Sequence, residues 1–104
     1  MLPETFSALG NPVRLAIVER LLSRGAQPVS QLADVAPISA PALSRHLKVL
    51  REAGIIDQSV DAQRRLCTVR PEALAAVEAW TINWRDFWAG SLDRLEASFR
   101  KGQN

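Results

Sequence analysis

Glycine and proline interrupt the first part of the chain repeatedly and then leave a long stretch of it almost untouched, and this contrast restricts the fold more than any other feature. The breaks at Gly10-Asn11-Pro12, Gly25, Pro28, Pro37, Gly54 and Pro71 permit only short elements before Pro71. Beyond it, Leu74, Val77, Trp80, Trp84, Phe87, Trp88, Leu92, Leu95 and Phe99 recur every three or four residues, the spacing of one long helix with a weak point at Gly90. The tail Lys101-Gly102-Gln103-Asn104 is expected to fray.

Each short piece carries its own start and stop. Leu2, Phe6 and Leu9 share a face and predict a brief first helix over about residues 2–9 that is stable only when packed. Asn11 can cap a second helix and Pro12 suits its first position, with Leu15, Ile17, Val18, Leu21 and Leu22 following as far as Ser23. Ser30 is expected to cap a short helix holding Leu32, Ala33 and Val35, which Pro37 ends. Ser39 then caps a longer one over residues 39–53, with Pro41 in its first turn, Leu43, Leu47 and Leu50 inward, and Gly54 closing it. Two helices joined by the tight Ala36-Pro37-Ile38 turn read as a helix-turn-helix.

From Ile55 to Arg70 the pattern changes to β-branched residues around the polar tip Asp61-Ala62-Gln63-Arg64, which predicts a hairpin whose turn type stays open without a glycine. The expected fold is therefore mainly α with a small β-hairpin (α+β), about five helices with a two-stranded antiparallel wing, in one domain over residues 1–104.

Composition narrows the function. Of 104 residues, 47% are hydrophobic and 23% charged, the balance of an ordinary globular domain. No apolar run approaches a membrane span and MLPETFSALG lacks the parts of a signal peptide, so a cytoplasmic protein without membrane contact is expected. A lone cysteine and a lone histidine, with no glycine-rich phosphate loop, speak against an enzyme, a cofactor and a metal cage, and no catalytic residue is nominated. The net charge of +2 is small, but residues 39–70 hold six cations against three carboxylates, so the positive excess lies where a polyanion would be read.

On a helix starting at Ser39, the residues Ala40, Ser44 and Lys48 share the side opposite the leucines. Arg45 and Ser44 are suited to base edges, Ala40 or Ala42 to a thymine methyl, and Ser39 to a phosphate at the helix start. For Arg45, Lys48 and Arg51 the bland reading is a solvated face, and Arg51 suits the helix C-terminus or a neighbouring acid. His46 lies at the margin of the leucine stripe, where bonding to backbone or phosphate is the natural role. At the wing tip Gln63, Arg64 and Arg65 are candidates for phosphates or a narrow minor groove, against an ordinary polar turn. Cys67 alternates along a strand and reads as packing.

The stretches FSALGNPVRLAIVERL, SAPALSRHLKVLREAGII and RRLCTVRPEAL resemble the ArsR/SmtB winged helix-turn-helix repressors over nearly the whole chain. The resemblance implies a transcriptional repressor that binds double-stranded operator DNA as a homodimer through its first and last helices, relieved by a ligand or metal. The tail AWTINWRDFWAGSLDRLE is similar to a subgroup without the founding members' metal ligands: residues 30–35 hold no cysteine and residues 71–104 no histidine. The interface would then draw on Leu2, Phe6, Leu9, Trp80, Trp84, Phe87, Trp88, Leu92, Leu95 and Phe99, because so many large aromatics exceed what a small domain covers alone. A symmetric dimer makes a palindromic operator the geometric expectation, and an apolar small-molecule inducer beside the tryptophans stays open. The competing reading is a winged-helix protein-interaction module that does not bind DNA.

Overall fold

A computed structural model describes residues 1–102. The chain divides into two units, one of residues 1–74 and one that begins at Ala75. The first contains α1 (Leu2–Leu9), α2 (Pro12–Arg24), β1 (Gln27–Pro28), a 3₁₀ turn (Val29–Leu32), α3 (Ala40–Glu52), β2 (Ile56–Asp61), β3 (Arg64–Val69) and the start of α4 (Pro71–Gly102). The remainder of α4 makes up the second.

Caps inferred from the sequence set the helix ends. Asn11 Oδ1 accepts from the N–H groups of Val13 (2.9 Å) and Arg14 (3.2 Å), and Gly25, at φ 76°, ends α2. Ser39 Oγ accepts from Ala42 N–H at 3.2 Å to open α3. At its other end Gly54 N–H donates to Arg51 O and Ile55 N–H to Leu50 O, both at 3.0 Å, with Gly54 at φ 76°. This is the paired closure of a Schellman motif, and the two residues that usually make its apolar contact, Ile55 and Leu50, are both fully buried in the core cluster.

The core gathers Ile17, Val18 and Leu21 of α2, Leu32, the Leu43–Leu47–Leu50 row of α3, Ile55, Ile56 and Cys67. Each fully buried aliphatic side chain here contributes about 1.5–3 kcal/mol relative to its exposed state. Leu15 and Leu22, which share the helical spacing, are exposed instead. In α1 the inward residues are Thr5 and Ala8 rather than Leu2 and Phe6. Thr5 tolerates burial because its hydroxyl donates to Met1 O at 2.9 Å.

Three expectations need correction. The short helix expected after a Ser30 cap is a 3₁₀ turn that starts two residues earlier, with Pro28 in the cap position, giving four α-helices and a 3₁₀ turn in place of about five helices. Too few residues lie between Pro28 and Pro37 to offset the cost of nucleating an α-helix, and Val35 N–H reaches back only three residues, to Leu32 O. The wing has three strands in the order β1-β3-β2, because Gln27 and Pro28 pair with Cys67 and Leu66. Finally, α4 runs unbroken past Gly90 and includes Lys101 and Gly102. One glycine costs a helix interior only about 1 kcal/mol, which the flanking turns absorb. The fraying expected at Gln103 and Asn104 lies outside the described residues.

The β2–β3 hairpin falls within the expected wing, residues 55–70, with Arg70 N–H closing its base on Ile55 O at 2.8 Å. Its two-residue turn places Ala62 at φ 57°, the left-handed region that glycine normally occupies. On α4, Trp84 stacks on Phe87 with ring centroids 5.6 Å apart and meets Trp88 edge-on at 5.5 Å.

Candidate nucleic-acid interface

The exposed side of α3 carries small and cationic residues, with Pro41, Val49 and Glu52 among them. Ser39, Ala40, Ser44, Arg45 and Lys48 are exposed, while Ala42 and His46 are half-buried at the margin. The small side chains leave the helix backbone open to close approach, and the cations supply the charge an anionic backbone requires. Lys48 lies 3.9 Å from Glu52, a loose surface pair, whereas Arg45 has no carboxylate partner among the described residues.

The wing lies beside this helix. Ser44, Leu47 and Arg51 of α3 line a shallow recess of about 50 Å³ together with Val29, Gln58 and Arg65, so Ser44 and Arg65 border one surface. Gln63 and Arg64 are exposed at the tip, where Arg64 lies 3.6 Å from Asp61. Arg65 has no carboxylate partner among the described residues.

Two polar links were not evident in the sequence. Arg51 donates from Nη1 to Gln58 Oε1 at 2.6 Å, and Gln58 Nε2 lies 3.6 Å from Cys67 Sγ, so Arg51 ties α3 to the wing rather than serving an acid. Arg14 of α2 donates from Nε to Ala8 O at 2.8 Å, with its Nη1 3.3 Å from Nδ1 of His46. A charged residue in the first turn of a helix carries no pattern that points to a partner 32 positions away. Behind α3, Arg20 holds the preceding turn by donating to Gln31 O at 3.0 Å and to the Asp34 carboxylate, which keeps the Asp34 carboxyl below the usual aspartate range. Cys67 is fully buried, and its thiol is pushed up by that burial, with Gln58 and Arg51 opposing.

On the aromatic helix, Trp80, Trp84, Phe87, Trp88, Leu92, Leu95 and Phe99 are all exposed, as is Phe6 of α1. Leu2 and Leu9 are half-buried, and Leu9 packs on the core. No helix among the described residues is long and apolar enough to cross a membrane, and no group of three or more histidine, cysteine or carboxylate side chains among them is placed to hold a metal.

A cap-bounded helix with a leucine-rich inner side, preceded by a tight turn and followed by an antiparallel wing, defines a winged helix-turn-helix protein of the DNA-binding kind. A helix-turn-helix domain family matches residues 9–59. An HTH-type transcriptional regulator of Mycobacterium tuberculosis, Rv2034, is 38% identical over 87 residues, spanning 84% of this chain and 78% of the regulator. Among solved structures, the ArsR family transcriptional regulator RHA00566 superposes with a TM-score of 0.73 at 34% identity, covering 85% of this chain and 90% of that one. The transcriptional repressor BigR from Xylella fastidiosa does so with 0.62 at 32%, covering 77% and 83%. The chain belongs to the ArsR family of winged-helix transcriptional regulators.

Proposed function

We propose that the chain represses transcription by binding a palindromic operator as a homodimer, with α3 in the major groove and the wing on the flanking backbone. The observation that carries this reading is the exposed Ser44-Arg45 surface of α3 beside Arg65 of the wing. Arg45 reads a guanine through its two-pronged guanidinium, Ser44 an adjacent base edge, and Ala40 or Ala42 a thymine methyl. Ser39, His46 and Lys48 of α3, with Gln63, Arg64 and Arg65 of the wing, hold phosphates and fix the register. The small excess of positive charge in residues 39–70 fits a protein that grips a short site rather than coating DNA.

We assign to the second copy the exposed aromatic and aliphatic side chains of α4 and, on the other unit, Leu2, Phe6 and Leu9 of α1. A stable interface covers about 800 Å² on each partner, and large aromatics supply about 150–250 Å² each. Two-fold pairing sets the reading helices about 34 Å apart, one DNA turn. That the similar BigR is a repressor supports the sign of the regulation.

The test is a selection from random duplexes followed by titration at two salt concentrations. A recovered two-fold symmetric site, with affinity falling steeply as salt rises, is expected. Salt-independent or absent binding would instead favour a winged-helix protein-interaction module.

A further inference from the structure

We propose that Arg14 is a positioning residue for DNA reading, tying the end of α1 to the second turn of α3 through His46 and so setting where Ser44 and Arg45 meet the groove. The inference rests on the DNA-binding reading above. Arg14 occupies the third position of α2, where the positive end of the helix dipole disfavours a cation. What the side chain holds explains the choice. Its Nε donates to Ala8 O at 2.8 Å, a carbonyl at the end of α1 that the helix itself leaves unpaired, in a residue only 3% exposed. Its Nη1 lies 3.3 Å from Nδ1 of His46. Arginine has no acceptor, so in this contact Nδ1 is the accepting atom.

One planar group therefore meets a backbone atom of α1 and a side chain of α3 at once, from a helix whose own start is anchored by Asn11. Rigid spacing between Nε and Nη1 makes the two contacts mutually dependent. Lysine, with one flexible ammonium, keeps the charge but not the bridge. His46 is flanked by Arg45, the exposed reader, and Leu47, which is buried in the core. Holding its ring fixes the turn of α3 that carries both.

The experiment measures anisotropy of a labelled duplex recovered by the selection, at fixed salt and at a temperature where circular dichroism shows every variant folded. Arg14→Lys and Arg14→Gln are each expected to weaken binding about tenfold, the size of one charge-assisted hydrogen bond. His46→Ala should do the same, and Arg14→Lys added to His46→Ala should cost little more. His46→Asn, which restores an acceptor near the Nδ1 position but no Nε2 group for a phosphate, should recover the part of the His46→Ala loss that runs through Arg14. A purely structural role at Ala8 would give losses that add, and additive losses overturn the proposal, as does an Arg14→Lys protein that binds like the parent. Should the Arg14 variants not fold, His46→Ala against His46→Asn carries the test, and equal affinities overturn it. A parent that binds no duplex overturns the DNA-binding reading itself, a result distinct from a binding parent with additive variants.

Discussion

Two arginines on one helix have different fates. Arg45 is exposed without a carboxylate partner among the described residues, while Arg51, nearly two turns on, is bonded to Gln58. Replacing Arg45 with alanine is expected to cost about 1–3 kcal/mol of operator affinity and to relax the preference at one base pair, read by repeating the selection with the variant. Arg51→Ala should leave the selected sequence intact. Cys67 yields a pH prediction. Because burial raises its folded thiol above the unfolded value, the stability it contributes is fully present below the unfolded pKa and declines as pH rises through the folded one. Iodoacetamide at pH 8 should therefore label the native protein far more slowly than the urea-unfolded chain, followed by mass spectrometry; equal rates would contradict the buried thiol. Residues whose roles are set by near neighbours, such as Ser39, Asn11 and Gly54, were readable from sequence. Arg14, Arg51 and Gln58 act across folded distances, and their letters in the chain look like any solvated side chain.

Among the elements, those with strong local punctuation matched their expected limits closely: α3 runs from its Ser39 cap to Glu52 against an expected 39–53. The weakly encoded ones did not. β1 is two residues, one a proline without an N–H, and exists because β3 lies beside it. The wing turn offers a direct stability test. Ala62 sits at φ 57°, where a β-carbon is strained, so Ala62→Gly should raise the unfolding free energy by about 1 kcal/mol in urea titrations. No gain, or a loss, would mean the turn relaxes in solution.

For the whole molecule, the decisive question is what covers α4. Helical spacing made the apolar residues legible, but the same spacing describes a helix buried in its own core and one buried in a partner. Sedimentation at micromolar concentration is expected to return twice the 11.5 kDa chain mass, and Trp84→Arg combined with Leu92→Arg should return one chain and lose operator affinity together. A parent that sediments as one chain would sink the symmetric reading.

The third strand has a mechanical consequence for the wing. Its last pairing is Pro28 with Leu66, so β3 is supported on both sides at Cys67 and Leu66 but by β2 alone from Arg65 to the turn. The hairpin is thus a cantilever with its fulcrum at Leu66, clamped from below by the buried Cys67. Arg65 stands at the root of this singly supported arm and Arg64 at its end, so the two cations sit where the sheet is held by the fewest backbone partners.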